Sequence, residues 1–290
     1  MKVYARLVKA GLGNKLFVWA KAVVFTHLND AELHTSKWWD FHPGVYLRNL
    51  KKEQKDMRFY WRLFRKDGFS LKLRFLYYRI VNKKVIEPAL AQEVIHSSNV
   101  LYVFNQIPKY DFFADIKPFR DLLKEKIYDN INKKHVEQIN SKSQPILGVH
   151  IRRGDFNSTF RTPLQSFVQT ICKIRAFISC DIPVTVFSDG YDHELEELLS
   201  LPNTIRATWN PPIVDMLLLS RSKIIVMSNH STFSYWAGFL SDAVIIKHTE
   251  DQSATIRPES INMKAYEGKL PEHERDWSSL LKRNLLEVNQ

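Results

Sequence analysis

Residues Gly148 to Phe156 read GVHIRRGDF, so an apolar run from Ile146 to Val149 gives way at once to His150, Arg152, Arg153 and Asp155. Alternation along a strand puts His150 and Arg152 on one face and Ile151 on the other. A guanidinium is always charged and forks onto two phosphate oxygens, so Arg152 beyond a strand end suits a phosphate ligand. A second reading is open here: an Arg153–Asp155 ion pair closes the Gly154 turn and His150 is a satisfied core histidine. The second stretch is KIIVMSNHSTFS, Lys223 to Ser234, an apolar run feeding a serine-rich turn and a helix that begins near Thr232. Free amides and the helix dipole make such a start an anion site. One hydroxyl would serve as a cap; the cluster Ser231, Thr232 and Ser234 exceeds that need.

Two further loops carry polar groups after apolar runs. VFSDG ends one run with Ser188 and Asp189, either as ligands or as a plain helix cap. GLGN, with Gly11, Gly13 and Asn14, follows the first run; it lacks the third glycine of a dinucleotide fingerprint and the lysine of a P-loop. Only nine glycines serve the 290 residues, so their gathering at these loops marks sharp turns or close approach.

The elements that must position these groups follow from periodicity. Lys2–Val8 reads as a strand and Leu16–Leu28 as a helix; a strand and loop are expected from 31 to 50, then a helical basic segment. Val100–Phe104 is a short buried strand and Pro118–Val136 a charged helix. The polar run 140–145, ending in Pro145, is the best linker. Beyond it strands at Ile146–Ile151, Val184–Phe187, Lys223–Met227 and Ala243–Lys247 alternate with helices at Leu164–Ile178, Asp192–Ser200, Asp215–Ser220 and Thr232–Leu240. That rhythm predicts a parallel sheet covered on both faces, with ligands at the carboxyl ends of its strands. The expected division is a first lobe, 1–140, carrying a basic aromatic helical insertion at 51–84, then a second lobe, 146–265, and a C-terminal segment, 266–290, with its helix at Trp277–Leu286. Since strand, glycine loop and helix open both halves, the expected fold is α/β with two Rossmann-like lobes.

Composition excludes some classes. The chain is 44% hydrophobic and 25% charged, an ordinary globular balance. No run approaches the ~20 apolar residues of a membrane helix, and no signal peptide is expected. Cys172 and Cys180, eight residues apart on one helix, would stand roughly 12 Å apart along its axis. That is beyond disulfide reach and points to a reducing compartment. The net charge is +11, and Lys51–Lys84 alone holds twelve Lys and Arg against three acids. Its interleaved aromatics admit three readings: a solvated amphipathic face, a surface for anionic membrane, or a nucleic-acid grip. There is no cluster of His, Asp and Glu at metal-ligand spacing, so no metal and no cofactor is expected.

GLGNKLFVWA, GVHIRRGDF, VFSDG and DMLLLSRSKIIVMSNHSTFSYW together resemble, in order and character, the alpha-1,2-fucosyltransferase-like glycosyltransferases of family 11. The resemblance covers the first twenty residues and most of 146–248, and leaves 35–140 unmatched. It implies a GT-B-like arrangement, two lobes facing a central cleft, with GDP-fucose in the second lobe and the acceptor in the first. Arg152 would hold the diphosphate with His150 near it; these two and Asp155 are the catalytic candidates. Ser231, Thr232, Phe233 and Ser234 would bind the β-phosphate, and Asp215 would accept from guanine N1–H and N2–H₂. Gly11, Gly13 and Asn14 would approach from the first lobe, and Arg153, Ser188 and Asp189 complete the donor set. Ala10, Lys15, Gly190 and Tyr235 depart from the family pattern and put the sugar and acceptor in question. The implied activity is an inverting, metal-independent transfer of fucose to a glycan or lipid-linked oligosaccharide, in the cytoplasm or on the inner membrane face. Glu32, His34 and His42 are candidates for the base that an inverting transfer needs. Alternatives are the same scaffold with another nucleotide sugar, a non-catalytic sugar-binding lobe, and a basic nucleic-acid-binding protein, the last disfavoured.

Overall fold

The computed structural model describes residues 1–36, 38, 60–65, 76–90, 99–109, 111–154, 161–207 and 210–289. Asp155, His42 and most of 51–84 lie outside them. The chain divides into two compact units, the first holding the described residues up to Val136 and the second those from Glu137 onward.

The first unit is built on four parallel strands, β1 (Lys2–Ala5), β2 (Glu32–Thr35), β3 (Lys83–Ile86) and β4 (Val100–Phe104), in the order β2-β1-β4-β3. Helix α1 (Leu12–Leu28) connects β1 to β2. Nearly all of α1 from Leu12 to Phe25 is buried, as expected of a helix apolar on every side. Phe25 packs 5.0 Å from Tyr102 and 5.3 Å from Phe104 on β4. The strand stops at Ala5, not Val8, because the chain leaves the ladder: Leu7 N–H donates to Ser36 Oγ at 2.8 Å. The helix correspondingly starts four residues early, so Gly13 and Asn14 sit in its first turn. Lys15 is fully buried there, its ammonium donating to the Val8 carbonyl at 2.7 Å.

The helix expected over Pro118–Val136 is broken. A 3-10 turn (Lys117–Phe119) leads into α2 (Arg120–Asn130), and α3 (Lys133–Asn140) follows. Phe64 bridges Ile131: the Asn130 carbonyl accepts from Arg65 N–H at 2.7 Å, and Asn132 N–H donates to the Leu63 carbonyl at 2.9 Å. Those tertiary bonds take the backbone groups that a continuous helix would use. The helical expectation for 51–84 fails at its end, where Lys83 and Lys84 open β3.

The second unit carries six parallel strands, β5 (Leu147–Ile151), β6 (Val184–Ser188), β7 (Thr204–Arg206), β8 (Ile224–Val226), β9 (Val244–Lys247) and β10 (Glu267–Lys269). Their order is β10-β9-β8-β5-β6-β7. In chain order this is the doubly wound pattern of dinucleotide-binding sheets, whose direction of winding reverses between β5 and β8. Helices α4 (Leu164–Ile178), α5 (Glu196–Leu199), α6 (Pro212–Ser220) and α7 (Thr232–Leu240) make the connections. The expected helix at Asp192–Ser200 is shorter, a 3-10 turn (Asp192–Glu194) before α5.

The strands β5, β8 and β9 are buried throughout, and Val149, Val226 and Ile246 share one core with Phe167 and Ile171 of α4. Two glycines permit close helix contact. A Cβ on Gly148 would stand 2.3 Å from Ser222 Oγ, and one on Gly238 would stand 2.1 Å from Met227 Cε. The terminal helix expected at Trp277–Leu286 is found at Ser279–Leu286, and the rest of 266–290 carries other elements. It gives β10 to the sheet, then α8 being the short turn Glu259–Asn262 before it and α9 (Ser279–Leu286) the helix after it. Ser278 Oγ caps α9 by accepting from Leu281 N–H at 3.2 Å. Under β9 and β10, Glu267 is buried between Lys247, 3.0 Å away, and Arg257, 3.4 Å away.

Candidate functional site

The winding reverses between β5 and β8, and sheets of this order take ligands in the crevice beyond the carboxyl ends at that point. The β5–β8 ladder runs out at Val149 and Val226. Past it, Ser228 continues the connection with its side chain: Oγ donates to the His150 carbonyl at 2.9 Å and accepts from Arg152 N–H at 2.9 Å. On the other side Ser188 Oγ donates to the Ile151 carbonyl at 2.7 Å and accepts from Gly190 N–H at 3.0 Å. Ser188, a donor-binding candidate, therefore splices β6 to β5. Ser228, which sequence reasoning missed, does the same for β8.

His150 is buried, with Nδ1 3.1 Å from Ser234 Oγ and its ring stacked 4.8 Å from that of Phe233. Burial lowers its pKa to about 3, further helped by Arg152 and opposed by Asp189. The imidazole is thus neutral at physiological pH, and it positions the α7 start rather than supplying charge to a phosphate.

Arg152 keeps about a quarter of its side chain exposed and pairs through Nη1 with Asp189 Oδ2. The other oxygen of Asp189 accepts from Arg153 N–H at 2.7 Å. Gly154 is what lets the carboxylate stand there, since a Cβ at that position would lie 2.0 Å from Asp189 Oδ2. The two adjacent arginines part company. Arg153 turns inward, is 7% exposed, and donates through Nη1 to the Thr162 carbonyl at 3.0 Å. Its charge is spent on the fold, contrary to the expectation that it binds the donor. The alternative Arg153–Asp155 pair falls on Asp155, outside the described residues.

Helix α7 begins at Ser231 with no side-chain cap and no acid in its first turn. Thr232 and Phe233 in that first turn are partly exposed, and a helix start of this kind favours an anion. Ser234 is fully buried: its Oγ faces His150 and donates to the Ser231 carbonyl at 3.3 Å, an inward role. Asn229, three residues past β8, is 6% exposed; its N–H donates to Thr162 Oγ1 at 2.9 Å. Its Oδ1 has no hydrogen-bond partner among the described residues.

Asp215 occupies the first turn of α6, where Asn210 Nδ2 donates to its Oδ1 at 2.7 Å. Asn210 Oδ1 in turn accepts from Gln138 and Lys142. Burial raises the Asp215 pKa to about 7 against the lowering effect of Asn210 and Lys142. Gly11, Gly13 and Asn14 belong to the first unit, at the α1 start, which also has neither side-chain cap nor acidic first turn. On β2, His34 is buried with Nε2 3.4 Å from Glu32 Oε1. Among the described residues no three His, Cys, Asp or Glu side chains gather as metal ligands.

These elements offer a guanidinium about a quarter exposed, a helix start without a side-chain cap and a buried carboxyl of raised pKa, a set suited to a phosphorylated ligand with donor groups at one end. The model of glycosyl transferase family 11 matches residues 91–268, more than half of the chain. No curated protein matches in sequence. In fold the chain is similar to the fucosyltransferase NodZ from Bradyrhizobium, at 14% identity over 87% of this chain and 97% of that one, TM-score 0.53. It is likewise similar to NodZ alpha-1,6-fucosyltransferase soaked with GDP-fucose, at 16% identity over 87% and 96%, TM-score 0.51. The α/β architecture with parallel sheets is the GT-B-like one of these enzymes.

Proposed function

This chain belongs to glycosyl transferase family 11, and from that premise we propose that it moves L-fucose from GDP-fucose to a hydroxyl of a glycan acceptor. The observation that carries the reading is the end of β5: His150 stacks on Phe233 in the first turn of the uncapped helix α7, and Arg152 follows two residues on, at the point where the winding of the sheet reverses. The similar fold of NodZ alpha-1,6-fucosyltransferase, whose crystals were soaked with GDP-fucose, supports the donor assignment. In this mechanism the diphosphate lies across the α7 amides with Arg152 on its oxygens. Both are aimed at the negative charge that grows on the β-phosphate as the sugar–oxygen bond breaks. The acceptor oxygen forms its bond to the sugar carbon in the same displacement, giving inversion, and its proton leaves to a base.

Asp215 takes the guanine edge, whose two N–H donors reward the carboxylate form and release the proton that burial holds on it. Protein cations and amides, not a metal or cofactor, meet the charge of the leaving group. We read the linkage from the motifs as alpha-1,2. The similar NodZ is an alpha-1,6 enzyme, so the product's linkage, determined by NMR, is a separate measurement. We place the reaction in cytoplasmic surface-polysaccharide synthesis, with a free or lipid-linked glycan as acceptor. The two unpaired cysteines and the net charge of +11 support that setting.

The test is calorimetric titration with GDP, GDP-fucose and UDP-sugars, beside a transfer assay with EDTA. GDP and GDP-fucose bind, UDP-sugars do not, and transfer survives EDTA. Arg152→Ala lowers kcat/KM by about two orders of magnitude. Binding of UDP-sugars alone, or an Arg152→Ala enzyme of full activity, overturns the reading.

A further inference from the structure

Nine large apolar side chains of the described residues are exposed, and five of them fall within 76–86: Leu76, Tyr77, Ile80, Val81 and Ile86, between 54 and 80% exposed. Residues 76–81 form a helical turn, and β3 follows after Asn82. The turn has a clear inside. Lys2 Nζ stands 3.4 Å over the Tyr78 ring, which lies 6.2 Å from that of His34. Holding Tyr78 against the sheet points Leu76 and Ile80, on the opposite side of the turn, into solvent, with Tyr77 and Val81 exposed beside them. Exposed among them are the cations Arg79, Lys83 and Lys84, and 76–86 contains no acid. The acid that follows, Glu87, is held on the protein side by Lys21 at 2.6 Å and the amide of Gln106 at 2.6 Å.

We propose that this face, Leu76 to Ile86, docks the protein on an anionic lipid surface. Apolar side chains collected on one turn and flanked by lysines and arginine fit the boundary between acyl chains and acidic headgroups. A soluble surface rarely gathers so many large apolar groups without a partner. The charge pattern selects lipid over the other occupants. β3 is an edge strand, and Lys83 and Lys84 on that edge oppose pairing with the same strand of a second copy, where like charges would meet. Exposed aliphatic side chains such as Ile80 and Val81 add nothing to a grip on phosphates alone, which disfavours nucleic acid.

The inference is independent of which nucleotide sugar the site takes. It is tested by sedimenting the full chain with vesicles of phosphatidylcholine mixed with equal phosphatidylglycerol, and with phosphatidylcholine alone. The protein should follow the mixed vesicles and ignore the neutral ones. Each cation near an acidic surface is worth about fivefold in affinity, so Lys83→Gln with Lys84→Gln weakens binding about thirtyfold. Ile80→Ser weakens it at least about tenfold. Both variants keep the wild-type melting temperature and GDP affinity. Equal binding to both vesicle types, wild-type binding by the variants, or a dimer that Ile80→Ser converts to monomer overturns the proposal.

Discussion

Replacing Gly154 by alanine tests how Arg152 is held. The backbone accepts the change, because no glycine of the described residues has positive φ. The obstacle is steric: the new Cβ would stand 2.0 Å from Asp189 Oδ2 and 2.7 Å from its Cγ. Contact between such atoms is ordinary near 3.5 Å, so the carboxylate must withdraw by about 1.5 Å. It has no slack for that. Its other oxygen accepts from Arg153 N–H at 2.7 Å, and such a retreat stretches that bond beyond hydrogen-bond range. The lost charged hydrogen bond to the amide costs about 1.5 kcal/mol. The Arg152–Asp189 pair, about a quarter exposed on each side, adds about 1 kcal/mol after solvent screening. A total of about 2 to 3 kcal/mol lowers the melting temperature by about 5 to 10 °C. An arginine displaced by an ångström loses about a hundredfold in turnover. Differential scanning calorimetry and steady-state kinetics read both. Asp189→Ala should give the same losses, and the double variant should add little, since both remove one interaction. Wild-type stability and turnover in Gly154→Ala, or fully additive losses, would refute Asp189 as the positioning residue for Arg152.

Two other outcomes concern titration and the buried ion cluster. Asp215 has a folded pKa raised to about 7 from 3.8, so the folded chain holds a proton that the unfolded chain has lost, and stability falls as pH rises between those values. His150, lowered to about 3 from 6.5, does the reverse: stability falls as pH drops through that window. The two slopes oppose each other over the shared range. Asp215→Asn therefore leaves a protein whose melting temperature declines steadily on acidification below about pH 6.5, whereas His150→Gln leaves one that declines toward neutrality; identical profiles for both variants would contradict the burial of these groups. Glu267→Gln leaves Lys247 and Arg257 without their buried counter-charge, and chemical denaturation should show a loss of about 3 to 5 kcal/mol with unchanged GDP affinity.

By itself the sequence determined the alternation of apolar runs and helices after Pro145, and hence the parallel sheet, because buried parallel strands are written as continuous apolar segments. Motif order determined the family. The glycine at 154 and the serine-rich helix start marked the crevice, since both are unusual where only a cap or turn is needed. Tertiary structure alone decided which polar group meets which. Arg152 and Arg153 are adjacent and identical, yet one faces the crevice and the other is consumed by the Thr162 carbonyl. Ser228 reads as one more loop serine until β5 lies beside β8. The break in the 118–136 helix, and the polar edge strands β3 and β10, likewise come from partners distant in the chain. Periodicity reports how much of a segment is buried. It carries no record of the neighbour against which the segment is buried, and hydrogen bonds and charge states depend on that neighbour.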